Sequence, residues 1–319
     1  MKENIMASQY IFIVGLPRTG TKLMMNVLEN NQEKACYITP ENFFLGRFLR
    51  PGIRRQMRQL GDLSVEANLK KLVDNIYSAR YTIFRGDYWS ELAEGKWGFD
   101  KETMFNELLD SDRSDKAIYT ILLRCYANGV ENVILGDKTG PHLYRVPTLL
   151  EWFPEAKVIH TLRDPRAVLA SEHKKQLRKL RRHISEADEA GRRLQALVLR
   201  AKEVLHSMLI IVYITIAWLY AARLDRKYKK RYPNNYYLSR FEDLVSQPEE
   251  SVRTLCNFLG IAFNSAMLNP SKVDSSFSPK GGTGFNTQAL NSWQTYLKPW
   301  MKRWWLVLAK QQLKEFKYI

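Results

Sequence analysis

The stretch YIFIVGLPRTGTKLMMNVL, at residues 10–28, decides the fold. It begins with a short apolar run, mostly β-branched or aromatic, which is typical of a strand buried on both faces. From Thr21 onward, apolar residues recur at helical spacing, so a helix is predicted to begin there. The intervening segment 15–21, GLPRTGT, must reverse the chain, and its two glycines allow the backbone to close around a ligand.

A strand, a glycine loop and the start of a helix together form a cradle for an anion. Successive backbone N–H groups and the positive end of the helix dipole point at the hollow of such a loop. Around Gly20, Arg18 and Lys22 add full positive charges, while Thr19 and Thr21 add hydroxyl donors. The expected ligand is a phosphate, although a strand-to-helix turn that binds nothing has the same appearance.

The spacing of the loop differs from that of a Walker A loop. A Walker A loop places its lysine directly after the second glycine and follows it with a serine or threonine that reaches Mg²⁺. Here the order is Gly20, Thr21, Lys22, and Leu23 follows the lysine. The loop is therefore poorly suited to bind a nucleoside triphosphate with its metal ion.

A third buried strand is predicted to start at residues 133–135, after a second candidate at 35–39, and it runs into GDKTGPH at 136–142. An apolar strand ending in an aspartate, here Asp137, imitates the Walker B element of an NTPase. The residues that follow, Lys138 and Thr139, suit an anion better than a metal.

A fourth strand, at residues 157–162, is predicted to deliver Arg163 at its carboxyl end. Asp164 and Pro165 then form a good start for a helix. Arg163 and Ser171 stand eight residues apart, and an arginine fork with a hydroxyl in that geometry can hold one phosphate from two sides. The alternative is a salt bridge from Arg163 to Asp164 or to a neighbour.

Two of these motifs resemble those of the sulfotransferases. The loop PRTGTK is similar to their 5′-phosphosulfate loop, although Lys22 stands where a second Thr or Ser is usual. The Arg163-Asp-Pro order, followed by Ser171, resembles their 3′-phosphate motif.

Two later segments add to this resemblance. The tract RFEDLVSQPEESVRTLCNFLGI is similar to the segment after their last core strand, predicted here at 236–241, where an aromatic at the place of Phe241 lies near adenine. Lys280 and Gly281 match the minimal form of a late loop over the 3′-phosphate.

The resemblance implies an α/β fold with a central, mainly parallel sheet flanked by helices and a P-loop-like phosphate-binding loop after the first strand. We expect one domain, residues 1–319, with a helical cap or acceptor wall at about 46–116 and a helical segment at about 172–232. It also implies in-line transfer of a sulfuryl group from 3′-phosphoadenosine 5′-phosphosulfate (PAPS) to an acceptor hydroxyl, with adenosine 3′,5′-bisphosphate as product and no metal. The acceptor stays open between carbohydrate, lipid, phenol and peptide tyrosine.

The resemblance also implies catalytic residues. Arg18 and Lys138 are expected to neutralise the bridging oxygen as it leaves. Families of this fold take the acceptor's proton with a histidine after the third strand or a glutamate after the second, and His142 and Glu41 occupy those places. We expect Glu41 to be the base, because His142 is displaced along its loop relative to the histidine-using enzymes.

Composition leaves other functions open. The net charge of +16 suits nucleic acid, an anionic membrane surface or small polyanionic ligands. The alternatives are a P-loop kinase using Thr21, Asp137 and Mg²⁺, and a basic protein that binds nucleic acid or a membrane surface through the segment HKKQLRKLRR at 173–182. Nucleic-acid binding is not expected, because no aromatic residues interleave in that segment, whereas peripheral membrane contact stays open.

The cellular compartment is predicted from the N-terminal residues and the cysteines. The first ten residues contain no apolar run of signal-peptide length, so a cytoplasmic protein is expected. Three scattered cysteines in no metal-ligand spacing are typical of buried, reduced thiols. The apolar segment 204–222 has the length of a membrane span, but its polar residues and its basic flanks at both ends favour a helix buried in the domain.

Overall fold

Parallel strands form the centre of the protein, as the apolar runs predict. The structure is a computed structural model that describes residues 9–47, 50–83, 86–182, 192–271 and 282–319. Side chains are described for these residues except at 179–182 and 192–201. Its five strands are β1 (Gln9–Gly15), β2 (Cys36–Thr39), β3 (Ile134–Asp137), β4 (Lys157–Leu162) and β5 (Tyr236–Arg240). They lie in the order β2-β3-β1-β4-β5, and every neighbouring pair is parallel. The predicted α/β fold class is confirmed.

Helices connect and cover these strands. In chain order they are α1 (Thr21–Glu29), α2 (Ile53–Arg58), α3 (Glu66–Tyr77), α4 (Tyr88–Ala93), α5 (Lys101–Leu109), α6 (Asp115–Tyr126), α7 (Val146–Trp152), α8 (Pro165–Arg182), α9 (Arg192–Arg231), α10 (Phe241–Ser246), α11 (Pro248–Leu259), α12 (Gln288–Tyr296), α13 (Pro299–Leu308) and α14 (Lys310–Glu315). Short 3₁₀ helices lie at Gly140–Arg145 and Ser265–Leu268.

The central strand β1 is buried on both faces. Phe12 and Val14 belong to one hydrophobic cluster, whereas Ile11 and Ile13 belong to a second cluster on the opposite face of the sheet. All four side chains are almost fully buried. Because successive side chains of a strand point to opposite faces, a continuous apolar run is what two covered faces require.

The strand order places β1 at the switch point of the sheet. The chain leaves β1 toward β2 on one side and later passes from β3 across β1 to β4 on the other. Phe12 pairs with Asp137, and Gly15 pairs with Thr161, so the carboxyl ends of β3, β1 and β4 lie side by side. Open α/β sheets bind their ligands in the crevice at this edge.

The described part of residues 46–116 contains α2 to α5 and the start of α6. Met57, Leu69 and Trp89 of this region are buried in the same cluster as Phe12. Its interior is therefore continuous with the core above one face of the sheet. The division of the chain into one domain with a cap stays a prediction.

Helix α9 differs from the expectation that segment 204–222 is buried. One face packs into the core, where Trp218 Nε1 donates to the carbonyl oxygen of Arg163 at 3.0 Å and Tyr228 Oη donates to the carbonyl oxygen of Leu143 at 3.1 Å. The opposite face is exposed along much of the segment. The expectation was wrong for that face, because a one-dimensional apolar run does not show which side of a helix has a neighbour.

The same helix has the length and composition of a membrane-spanning helix. Among the described residues, one helical stretch, Lys202–Arg231, is long and apolar enough to cross a bilayer, with a mean hydropathy of 2.0 and 39% of its most apolar window buried. Length and composition alone are weak evidence for a span. The buried face of α9 contacts the core beside the sheet. Insertion of α9 across a bilayer would break these contacts.

The free cysteines Cys36, Cys125 and Cys256 are all buried, as the sequence predicts.

Substitutions on the two faces of α9 test this arrangement. Trp218→Ala should lower the free energy of unfolding by about 3–5 kcal/mol, because a large buried ring and its hydrogen bond are lost. Leu209→Ala, on the exposed face, should change it by less than about 0.5 kcal/mol. Urea unfolding followed by circular dichroism measures both, and equal losses would contradict the half-buried position of α9.

Candidate functional site

The loop between β1 and α1 lies against the neighbouring strand β4 without space for side chains at its glycines. A Cβ on Gly15 would lie 2.6 Å from both the carbonyl oxygen and Oγ1 of Thr161. A Cβ on Gly20, whose φ is +99°, would lie 2.7 Å from Cδ2 of Phe241. Arg18 also has a left-handed φ of 72°. The loop therefore needs glycine at both places to pack between β4 and Phe241.

Thr19 anchors this loop from the inside. Its side chain is fully buried, its Oγ1 donates to the carbonyl oxygen of Leu16 at 2.7 Å, and it lies 2.9 Å from Oγ1 of Thr161. The hydroxyl thus holds the loop together, and its contact with a phosphate stays a prediction. Thr21 and Lys22 begin α1, with Lys22 exposed.

The two motifs that were predicted to hold opposite ends of a nucleotide are in direct contact. Arg163 Nη1 donates to the carbonyl oxygen of Arg18 at 3.2 Å. In turn, Arg18 Nε donates to Ser171 Oγ at 2.8 Å. Arg18, Arg163 and Ser171 thus converge at the carboxyl ends of β1 and β4.

Arg163 is held between an aromatic ring and buried polar groups. Its guanidinium carbon lies 4.1 Å from the ring centre of Phe241, and Nη2 donates to the carbonyl oxygen of Ala289 at 2.6 Å. Burial lowers the pKa of Arg163 to about 10, and Glu242 opposes that shift. Its Nε is buried without a hydrogen-bond partner. A buried cation with an unused donor fits an anionic ligand.

Asp164, which the alternative interpretation pairs with Arg163, instead pairs with Arg166. Asp164 binds Arg166, with 2.7 Å between Oδ2 and Nη2, and its Oδ1 accepts from the Arg166 backbone N–H at 2.8 Å. Glu242 Oε1 accepts from the Asp164 backbone N–H at 2.9 Å, which fixes the turn that presents Arg163. Burial raises the pKa of Glu242.

Glu41 and Lys138 form an ion pair on the other side of the loop, after β2 and β3. Glu41 Oε1 lies 3.8 Å from Lys138 Nζ, and the side chains are 31% and 9% exposed. Burial lowers the pKa of Lys138, whereas the nearby Glu41 carboxylate raises it. The positive charge of Lys22 also lowers the pKa of Lys138. Arg18 instead donates to Ser171.

Glu29, at the end of α1, also belongs to this group of charges. Burial raises the pKa of Glu29 to about 7, while Lys22 and Lys138 oppose the shift.

His142 is part of a buried network rather than an open site. Its ring is fully buried, and Nε2 accepts from the backbone N–H of Leu45 at 3.2 Å. A backbone N–H can only donate, so the proton lies on Nδ1, which donates to Asp137 Oδ2 at 2.6 Å. Both ring nitrogens are used in this network, and the role of His142 as a candidate base stays a prediction.

Asp137 is likewise fully occupied. Besides His142, Tyr119 Oη donates to Oδ2 at 2.7 Å, and Thr139 Oγ1 donates to Oδ1 at 2.7 Å. Thr39 Oγ1 adds a contact to Oδ1 at 3.3 Å. The residue that imitates a Walker B aspartate therefore ties β3 to β2 and α6.

Three residues of the site have no role in the sequence-based predictions. Thr161 holds Thr19, Glu242 fixes the turn before α8, and Trp218 holds the carbonyl of Arg163. The tract that contains Phe241 and Glu242 signals the second of these, whereas the other two contacts join segments far apart in the chain. The predicted residues Lys280 and Gly281 lie outside the described residues.

The buried position of His142 generates a stability prediction. His142→Ala should lower the free energy of unfolding by about 1–3 kcal/mol, because Asp137 loses a donor and the Leu45 N–H loses its acceptor. His206→Ala, a half-buried histidine of α9, serves as the control and should cost less than about 0.5 kcal/mol. Urea unfolding measures both variants, and a fully stable His142→Ala protein would contradict the network.

Comparisons with known proteins find similar sequences and a similar fold. A family model described as "Sulfotransferase family" matches residues 10–265. The omega-hydroxy-beta-dihydromenaquinone-9 sulfotransferase Stf3 of Mycobacterium bovis is 27% identical over 274 residues, which are 81% of this chain, and that of Mycobacterium tuberculosis gives the same values. The match spans 64% of the length of these relatives.

Solved structures show the same fold. The sulfotransferase domain from the curacin biosynthetic pathway superposes with a TM-score of 0.52 at 17% identity, covering 96% of this chain and 98% of that one. The sulfotransferase domain from the Synechococcus PCC 7002 olefin synthase gives 0.50 at 19% identity, covering 94% and 92%. At these identities the likeness concerns the fold alone.

Proposed function

This chain belongs to the sulfotransferase family, and we propose that it transfers the sulfuryl group of PAPS to a hydroxyl of an acceptor. The observation that carries the proposal is the convergence of Arg18, Arg163 and Ser171 at the edge of the sheet. It brings an anion-binding loop and a second anion motif to one place, as a nucleotide with a phosphate at each end of its ribose requires.

The residues present fit such a nucleotide. Gly20, Thr21 and Lys22 lie at the start of α1. Their backbone N–H groups would hold the 5′-phosphosulfate of the nucleotide. Arg163, with its unpaired Nε, and Ser171 would hold the 3′-phosphate. Phe241 lies beside Gly20 and Arg163 and would offer an aromatic face to the adenine of the nucleotide.

Catalysis by this site would depend on charge placement more than on covalent chemistry. PAPS supplies an activated sulfuryl group when it is bound. Lys138, buried and cationic, would stabilise negative charge that develops on the leaving oxygen. Arg18 would do the same from the side of Ser171. Glu41, 3.8 Å from Lys138 Nζ, would accept the proton of the acceptor hydroxyl.

The acceptor is proposed from chemistry and from the relatives. Both relatives carry the name of an omega-hydroxy-dihydromenaquinone sulfotransferase, a substrate with a hydroxyl on an apolar molecule. We propose the same broad class for this chain, an apolar hydroxyl-bearing lipid.

The contacts favour this function over a kinase. A Mg²⁺-dependent phosphoryl transfer of the P-loop type uses a free aspartate after a core strand. Asp137 stands at that place, but its two oxygens accept hydrogen bonds from buried side chains.

Loss of the proposed 3′-phosphate contact should weaken nucleotide binding. Arg163→Ala should raise the Kd for adenosine 3′,5′-bisphosphate by about tenfold or more, because a buried charge-assisted pair contributes about 1.5–3 kcal/mol. Ser171→Ala should have a smaller effect, since one neutral hydrogen bond is lost. Isothermal titration calorimetry without added metal measures these constants.

Arg253→Ala, on the exposed side of α11, is the matched control and should bind like the parent. An Arg163→Ala protein that is folded and keeps full affinity would remove the 3′-phosphate assignment.

The assignment of the base is tested by a substitution that keeps the shape of the side chain. Glu41→Gln should keep nucleotide affinity and lower kcat by about 10²–10⁴, because the amide cannot accept the proton. Transfer of radioactive sulfur from labelled PAPS to a lipid alcohol measures kcat. Turnover within a few-fold of the parent would contradict the role of Glu41.

A further inference from the structure

The exposed face of α9 is an apolar surface with no counterpart in the proposed chemistry. Eight large apolar or aromatic side chains on it are between 37% and 60% exposed. They are Val204, Leu205, Met208, Leu209, Val212, Tyr213, Ile216 and Tyr220. Their spacing of one, three and four residues places them on one side of the helix, over about 24 Å of its length. We call these eight residues the α9 apolar face.

Cations border this face at both ends. Lys202 precedes it, and Arg223 and Lys227 follow it on the exposed side of the same helix. Helix α8, which carries the basic segment 173–182, packs beside α9 through His173 Nε2 and Ser207 Oγ, 2.7 Å apart. An apolar stripe between clusters of cations is the pattern of a helix that lies in the plane of a membrane surface.

A neighbouring helix also exposes large apolar side chains. Helix α13 packs on α9 through Trp304 Nε1, which donates to Thr215 Oγ1 at 2.9 Å. It exposes four further large apolar side chains: Trp300, Leu306, Val307 and Leu308. Exposed apolar surfaces of this extent mark interaction sites in soluble proteins.

Helix α9 packs against α8, the helix that carries Ser171 of the candidate site. Tyr213 lies near Glu172 and Arg47: partial burial raises the pKa of its phenol, Glu172 raises it further and Arg47 lowers it. Glu172 follows Ser171 and also acts on Arg18, whose pKa is lowered mainly by burial. The helix that carries the face therefore lies beside the helix that carries Ser171.

We propose that the α9 apolar face docks on an anionic lipid surface, with its apolar side chains among the acyl chains and the flanking cations at the headgroups. Charge complementarity favours a membrane over a second copy of the chain. The C-terminal end of the face carries Arg223 and Lys227, so parallel pairing of two α9 helices sets cations against cations. The net charge of +16 adds to this repulsion and to the attraction of anionic lipid. Docking would hold the site at the membrane surface, and it does not depend on the reaction that the site performs.

Sedimentation with lipid vesicles tests the proposal on the full chain. The parent protein should pellet with vesicles of phosphatidylcholine and phosphatidylglycerol and much less with pure phosphatidylcholine. The double variant Leu205→Glu/Leu209→Glu should lose binding by about tenfold or more, because carboxylates replace the side chains that enter the lipid. Arg223→Glu/Lys227→Glu should lose the preference for anionic vesicles.

Val65→Glu/Val130→Glu is the matched control, since it places two carboxylates on exposed valines of other elements and should bind like the parent. Circular dichroism and the unfolding midpoint verify that each variant is folded.

Three outcomes would overturn the proposal. The first is a parent protein that stays in the supernatant with both kinds of vesicle. The second is a Leu205→Glu/Leu209→Glu protein that binds vesicles like the parent. The third is a parent dimer, detected by light scattering, that this variant dissociates while vesicle binding is absent, which would assign the face to a second copy of the chain.

Discussion

The close approach of the β1 loop to the end of β4 is the constraint on which the site depends. Gly15 leaves no room for a side chain against Thr161, and the hydroxyls of Thr19 and Thr161 lie 2.9 Å apart at the same contact. This contact sets the distance between the two anion motifs, since one follows β1 and the other follows β4. Arg163 can reach the carbonyl of Arg18 only because the strands are paired in this register.

A second, buried network supports the other half of the site. Asp137 accepts from residues of β2, α6 and the loop after β3, and that loop carries Lys138 toward Glu41. The cation and the carboxylate of the proposed reaction are thus held by a structure that does not itself react. Positioning of this kind is what in-line group transfer asks of a protein.

The sequence predicts local features of this protein well and long-range features less well. The bounds of β4 agree with the predicted segment, and all the predicted strands are present, because buried parallel strands need apolar runs. Phe241 was placed in the last strand, but it starts α10, where its ring packs on Gly20 and Arg163. The burial of Thr19 and His142 depends on Thr161 and Leu45, far away in the chain, so no local pattern could show it. The exposure of half of α9 likewise depends on which helices pack beside it.

The central claim is that the β1 loop and the Arg163 motif bind one nucleotide with a 5′ and a 3′ anion. Calorimetric titration of the parent protein with adenosine 3′,5′-bisphosphate, with ATP and Mg²⁺, and with duplex DNA tests it most directly. The account predicts saturable binding of one adenosine 3′,5′-bisphosphate per chain without metal, and weaker binding of the other two. Tight, metal-dependent binding of ATP with no binding of adenosine 3′,5′-bisphosphate would contradict it.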